Sequence, residues 1–357
     1  MAIHFHKLQI KDIRKETPDC VSIAFNVPEE LEKEFHFIPG QNVTLRKFFE
    51  NEEIRRSYSI CASPLENELR VAVKKAENGL FSRFANAELK EGDIIEVLPP
   101  TGNFYTEILP SQKKEYLFIA AGSGITPVIS IIKTILSTQQ NSNVALLYGN
   151  KNMASIIFKS QLESLKDKYL ERFALHHIFS REKTESEFNF GRIDDAKLNY
   201  VSQFINLKTI DHFFVCGPEA LIFTVKDFLL EKGIDADKIH FELFTTPVRE
   251  HAVIYKPLEE NKQEGSDVTL KIDGRSFEFK LAYDGQTILE AGLDQGADLP
   301  FACKGGVCCT CKAKLIEGEV EMEANYGLEK SEIKDGFILT CQSHPRSKKV
   351  AVDYDQA

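Results

Sequence analysis

Two rhythms of hydrophobic and polar positions run along the chain. In its first third, short alternating segments recur: VSIAFNV (Val21–Val27), NVTLRKF (Asn42–Phe48), RRSYSI (Arg55–Ile60), LRVAVKK (Leu69–Lys75) and DIIEVLPP (Asp93–Pro100). Pro, Gly, Asn and Asp turns separate them. Period-two alternation marks half-buried strands, and this density of short strands predicts an antiparallel barrel or sandwich over 1–110. From Glu115 the strands become continuous apolar runs: YLFIAAG, VALLYGN, FALHHIFS and DHFFVCGP. Helical patterns at Pro127–Gln139, Ser155–Lys168 and Pro218–Lys232 alternate with them. That is the signature of a doubly wound parallel sheet, predicted over 111–245. The polar, proline-bearing stretch from Thr245 to Asp267 reads as a linker, placed at 246–265. A third module is expected over 266–357. It opens on a hairpin, VTLKIDGRSFEFKL, turned by Asp273-Gly274. A helix at Thr287–Gly296 follows, and KVAVDYD (Lys349–Asp355) closes it. The fold class is therefore multidomain, α+β and α/β.

The third module concentrates the chemistry. Four of the chain's eight cysteines fall within PFACKGGVCCTCKAK, Pro300–Lys314. Cys303, Cys308 and Cys311 read C-x4-C-x2-C, and Cys341 follows after 29 further residues. This is the plant-type spacing for a [2Fe–2S] cluster on four thiolates. Gly305 and Gly306 suit a loop that brings backbone N–H groups close to sulfur. Cys309 lies outside the spacing and reads as a bystander. A zinc site usually shows two such knuckles or Cys/His pairs, and a disulfide framework suits small secreted chains.

Composition narrows the class. The chain has 357 residues, 43% hydrophobic and 27% charged, ordinary for a multidomain globular protein. No apolar stretch is long enough to span a membrane, and no signal-peptide run follows the first residues, so a cytoplasmic protein is expected. The net charge of −10 disfavours nucleic acid as a partner. From Ser266 to Ala357 there are 16 acidic and 11 basic residues, so half of that net charge sits in the last quarter. A basic docking surface on a partner would suit such a module, and so would simple solubility.

The middle segment carries nucleotide signals. In AGSGITP, Gly122 and Gly124 precede Thr126-Pro127 at a helix start, where backbone donors and the helix dipole favour a pyrophosphate. Alone this is also a plain tight turn. Tyr148–Asn150, Ser180–Glu182 and Cys216–Pro218 stand at the ends of the other parallel strands, the edge where open α/β sheets bind ligands. Ser180 and Arg181 offer a hydroxyl and a guanidinium for the 2′-phosphate of NADPH, and no acid precedes Glu182 to hold a free ribose. In the first segment Arg56 and Tyr58 share a strand face, with Ser59 on the other face or at the strand end. Gly79 and Ser82 open a short helix. Each of these is equally compatible with ordinary surface structure.

Taken in order, these motifs resemble the ferredoxin–NADP⁺ reductase superfamily fused to a C-terminal plant-type ferredoxin domain. CKGGVCCTCKAKLIEGEVEMEANYGLE and LTCQSHP are similar to the reductase subunits of phenylacetyl-CoA epoxidase complexes. The resemblance implies an FAD-binding barrel, an NADPH-binding α/β domain and a β-grasp ferredoxin. It implies flavin contacts from Arg56, Ser57, Tyr58, Ser59, Val73, Lys74, Gly79, Phe81 and Ser82. It implies nucleotide contacts from Gly122, Gly124, Ile125, Thr126, Pro127, Ser180, Arg181, Cys216, Gly217 and Pro218, and cluster ligands Cys303, Cys308, Cys311 and Cys341. Ser59, Cys216 and Glu242 are the expected catalytic residues: Cys216 beside the nicotinamide, Ser59 at flavin N5 and Glu242 as proton relay. HFELF (His240–Phe244) is a candidate lid, with Phe244 over the flavin, although core packing is the favoured reading of its two phenylalanines. The implied activity passes electrons from NADPH through FAD and the cluster to an oxygenase protein, with the di-iron phenylacetyl-CoA epoxidase first among acceptors. A Rieske oxygenase, a desaturase and a hybrid-cluster protein stand as alternatives.

Overall fold

The computed structural model describes residues 3–244 and 265–357. The N-terminal part is a six-stranded antiparallel sheet: β1 (His6–Thr17), β2 (Cys20–Asn26), β3 (Asn42–Phe49), β4 (Glu52–Ser59), β5 (Leu69–Lys74) and β6 (Ile94–Val97). Their order is β4-β3-β6-β1-β2-β5, and a bridge between Ile60 and Val71 joins the two edges into a barrel. Alternate residues such as Leu8, Ile23, Val43, Leu45 and Val71 fill its interior. Charged residues crowd β1, the longest described strand, and they mask its apolar pattern in the sequence. A short helix, α1 (Leu80–Ala87), follows β5.

The second sheet is parallel: β7 (Glu115–Ala121), β8 (Asn143–Asn150), β9 (Phe173–Phe179), β10 (His212–Cys216) and β11 (Ile239–Glu242). Their order is β11-β10-β7-β8-β9. Helices α2 (Ile125–Thr138) and α3 (Lys159–Lys168) cover one face, and α4 (Asp195–Val201) and α5 (Glu219–Glu231) the other. The apolar runs follow from burial on both faces. On β7, Tyr116, Phe118 and Ala120 join the α2 side while Leu117 and Ile119 join the α5 side. Helix α2 is buried nearly all round because the barrel packs on its outer face. Ser130 Oγ donates to Ala62 O at 2.6 Å, and Thr134 Oγ1 lies 2.8 Å from Ser63 Oγ.

The third sheet has order β13-β12-β18-β14-β16. Its strands are β12 (Gly265–Ile272), β13 (Arg275–Ala282), β14 (Lys312–Glu317), β16 (Phe337–Leu339) and β18 (Lys349–Asp353); β15 (Val320–Met322) and β17 (Ser343–Pro345) form a separate pair. β12 runs parallel to β18, and α6 (Ile288–Asp294) packs on the sheet in a β-grasp arrangement. A short α7 (Lys330–Lys334) precedes β16. Asp273 and Gly274, at φ 52° and 69°, make the expected two-residue hairpin turn.

Two local expectations are corrected. HFELF is not a free lid: His240–Glu242 belong to β11, whose parallel pairing with β10 completes the sheet edge. Helix α3 starts at Lys159 rather than Ser155, because Phe158 takes a left-handed conformation (φ 61°) that breaks the run. The expected linker, 246–265, lies outside the described residues except for Gly265, which opens β12. Among the described residues no helix is long and apolar enough to cross a membrane.

Candidate functional site

At the carboxyl edge of the parallel sheet lies a cavity of about 790 Å³. Gly122, Ser180, Arg181, Gly217, Pro218, Lys74 and Phe244 line it. Gly124 permits the construction: a Cβ there would lie 2.1 Å from the Cys216 carbonyl oxygen, so only glycine lets the turn rest on β10. Ile125, Thr126 and Pro127 are buried in the first turn of α2 behind the cavity wall, and Thr126 Oγ1 donates to Ser123 O at 3.0 Å. Their part is to fix the turn. Cys216 is fully buried, and burial pushes its thiol well above the usual range. Several cavity residues escape the sequence reading, among them Lys151, Arg192, Asp194 and Thr224. Lys151 and Arg192 stand in loops beyond strand ends, where no apolar rhythm marks them. Glu182 turns away to accept the Met153 N–H at 2.9 Å, which leaves Arg181 as the charge of that strand end at the cavity.

On β4 the alternation is as expected. Arg56 is exposed and Tyr58 half-buried, with the Tyr58 ring 5.7 Å from that of Phe81. Ser59 faces the other way. Its Oγ donates to Glu242 Oε2 at 3.0 Å, joining the barrel to β11 across 183 residues. Burial raises the Glu242 carboxyl to about 8; Ser59's hydrogen bond opposes this, and Cys308 adds to it. Ser82 Oγ accepts from the Ala76 N–H and donates to Gly79 O, closing the turn that opens α1. Val73 and Phe81 sit in the barrel core, and the Val73 carbonyl is taken by Asn86. Neither side chain is free at a surface. Phe244 is 41% exposed at the cavity wall, so core packing does not hold for it; Phe241 packs against the sheet core.

The cysteine loop folds back on itself. The free Cys308 thiol is a hydrogen-bond neighbour of Cys303, and Cys341 is one of both Cys303 and Cys311. Cys308, Cys311 and Cys341 are buried and Cys303 is half-exposed. Backbone N–H of Gly305 donates to Cys303 Sγ at 3.3 Å, and Gln342 Nε2 lies 3.8 Å from Cys341 Sγ. Gly306 holds φ 76°, and a Cβ on it would lie 2.8 Å from the Ala324 carbonyl oxygen. Among the described residues no group of three or more His, Cys, Asp or Glu is drawn tightly enough for a single metal ion. Four adjacent thiols with N–H donors suit a binuclear iron–sulfur cluster instead, whose iron would hold them as thiolates. Cys309 is buried and packed on Gly327 with φ 57°, consistent with a bystander.

All three sheets meet at this loop. Thr310 Oγ1 lies 3.3 Å from Thr44 Oγ1 of β3, and Asn103 donates to the Gly327 carbonyl at 3.1 Å. Val307 and Tyr326 pack against the core of the parallel sheet.

Three family models match in series: an oxidoreductase FAD-binding domain over 7–105, an oxidoreductase NAD-binding domain over 118–227, and a 2Fe–2S iron–sulfur cluster binding domain over 270–346. One subunit of the 1,2-phenylacetyl-CoA epoxidase of Escherichia coli K12 is 44% identical over 352 residues, 98% of both chains. The chain belongs to the ferredoxin–NADP⁺ reductase-type flavoenzymes with a C-terminal 2Fe–2S domain. The ferredoxin reductase component of the 3-ketosteroid-9-alpha-monooxygenase of Rhodococcus rhodochrous is 32% identical over 97% of this chain and 96% of its own length. Among solved structures, phthalate dioxygenase reductase superposes over 98% of both chains at a TM-score of 0.57 and 25% identity. The protein is thus an NAD(P)H-dependent oxidoreductase with FAD-binding, NAD-binding and 2Fe–2S domains in one chain.

Proposed function

We propose that this reductase draws its electrons from NADPH and delivers them to an oxygenase, the phenylacetyl-CoA epoxidase, in the cytoplasm. The observation that carries the reading is the Ser59–Glu242 hydrogen bond. It joins the flavin strand to the nucleotide-domain edge, and Cys308 is close enough to raise the Glu242 carboxyl. The contact ties the flavin strand, the edge of the nucleotide sheet and the cysteine loop together, which supports the reading.

When bound, the flavin accepts hydride and the cluster carries single electrons, which is the cofactors' own chemistry. This chain's residues supply position and charge. Arg56 and the Gly79–Ser82 turn would hold the flavin phosphates, and Tyr58 would stack on the ring. Ser59 and Glu242, joined by their hydrogen bond, would hold a proton beside the flavin. Cys216, behind the cavity floor, shapes the nicotinamide end, and Phe244 borders it. Arg181 would meet the 2′-phosphate, with Arg192 and Lys151 adding positive charge to a cavity that Asp194 also lines; a guanidinium matches phosphate oxygens with paired donors. Cys303, Cys308, Cys311 and Cys341 ligate the cluster. The 44% identity to a component of that epoxidase, over nearly the full length of both chains, supports the choice of acceptor. Purified protein mixed with the oxygenase components of that epoxidase and phenylacetyl-CoA should consume NADPH in step with substrate. No coupling there, alongside efficient reduction of a Rieske oxygenase, would overturn the acceptor while leaving the reductase intact.

A further inference from the structure

Arg55 takes no part in the site above. It precedes Arg56 on β4 and points to the opposite face, where only 7% of it is exposed. So buried an arginine needs partners. Its Nη1 donates to the Leu299 carbonyl, 244 residues away, at 3.1 Å. Its Nε donates to Glu53 Oε1 at 2.9 Å. The guanidinium carbon lies 3.9 Å from the centre of the Phe301 ring and 5.0 Å from that of Phe5. Leu299 and Phe301 lead directly into Cys303. On β3 alongside, Thr44 Oγ1 is 3.0 Å from Ser57 Oγ and 3.3 Å from Thr310 Oγ1, the residue before Cys311. Thr44 and Thr310 are both buried. The two faces of β4 thus serve two modules: Arg56 and Tyr58 on one side, Arg55 and Ser57 toward the cysteine loop.

We propose that Arg55 is a positioning residue for electron transfer, clamping the loop from Leu299 to Cys311 against the strand that holds the flavin. This rests on the functional reading above, in which β4 contacts flavin and the four cysteines hold the cluster. Electron transfer falls steeply with separation, so a loop fixed directly to the flavin strand keeps the two centres at a set distance. The clamp calls for arginine in particular. A planar guanidinium stacks on Phe301 while donating in fixed directions to Leu299 and Glu53, and a lysine ammonium cannot do both. Glu53 keeps Arg46 as a partner at 3.3 Å, so removing Arg55 does not strand its charge.

The test uses holoenzyme carrying Arg55→Met, Arg55→Lys and, from the other side of the contact, Phe301→Leu. Anaerobic rapid mixing with NADPH follows flavin and cluster absorbance as separate phases. Flavin reduction should be unchanged in all three. Cluster reduction should slow about tenfold or more in Arg55→Met, the loss of one charged hydrogen bond in the docked state. Arg55→Lys and Phe301→Leu should fall between that variant and wild type. The Arg55→Met/Phe301→Leu double variant should be no slower than Arg55→Met, because the two changes remove one shared contact. The electron paramagnetic resonance signal and reduction potential of the cluster should stay as in wild type, while amide hydrogen exchange over 299–311 quickens. Unchanged cluster reduction, or equal slowing of both phases, would overturn the clamp; should Arg55→Met not fold, Phe301→Leu and Arg55→Lys decide alone. Wild-type protein with no NADPH-driven cluster reduction would overturn the functional reading itself, a distinguishable failure.

Discussion

Replacing Glu242 by glutamine isolates the group at which the three modules meet. The side chain is half-buried at the domain junction, and desolvation there lifts its pKa from an ordinary 4.5 to about 8. At about pH 7 the protonated form then outnumbers the ionised one by roughly ten to one. The sign follows from proton uptake. Below pH 4.5 folded and unfolded chains both carry the proton, and the group contributes no pH dependence. Between 4.5 and about 8 the folded chain keeps a proton that the unfolded chain releases, so stability falls as pH rises. Each unit of that window is worth at most about 1.4 kcal/mol, which gives about 5 kcal/mol across it as an upper limit. Glutamine keeps a partner for Ser59 Oγ, 3.0 Å away, and cannot ionise. The melting temperature of Glu242→Gln minus that of wild type, measured on the proteins as isolated from about pH 6 to about pH 9, should therefore swing toward the variant and level off above about 8. The rate of flavin reduction by NADPH should lose a titration in the same range. A difference that stays flat with pH would refute the view that Glu242 is held protonated.

Other outcomes follow from single side chains. Arg181→Ala should raise the KM for NADPH about tenfold or more and leave that for NADH nearly unchanged, since one charged hydrogen bond is lost; equal losses with both nucleotides would remove Arg181 from the 2′-phosphate. Arg56→Ala should purify partly flavin-free, binding FAD at least about tenfold more weakly, with the cluster bands retained. The flavin-to-iron ratio reads this directly, and a normal ratio would put the wrong residue in the site.

How much of this the sequence shows depends on what kind of signal each residue carries. The cysteine spacing and the apolar runs of the parallel sheet are local signals, and both place their elements well. So do the two-residue turn at Asp273-Gly274 and the alternation that sets Arg56 and Tyr58 opposite Arg55. β1 escapes the pattern because seven of its twelve residues from His6 to Thr17 are charged or histidine, which masks the alternation. β11 reads as part of a lid because four residues at a sheet edge carry no period of their own. Lys151 and Arg192 lie in loops, and only the folded sheet brings them to the Arg181 strand end. Arg55 reads as a spare charge beside the flavin motif until Leu299 and Phe301 arrive from 244 and 246 positions away. Contacts of that range leave no local trace in sequence.

The central claim is that electrons pass from NADPH through the flavin to the cluster before leaving the chain. Cys311→Ser tests it most directly, because Cys311 is buried in the β-grasp core while the flavin and nucleotide residues lie in other sheets. Reduction of a one-electron protein acceptor by the variant is measured beside reduction of ferricyanide, a small oxidant that reduced flavin reaches unaided. The account predicts loss of the first with the second largely retained and flavin still bound. Protein-acceptor reduction at the wild-type rate, or loss of ferricyanide reduction with flavin in place, would contradict it.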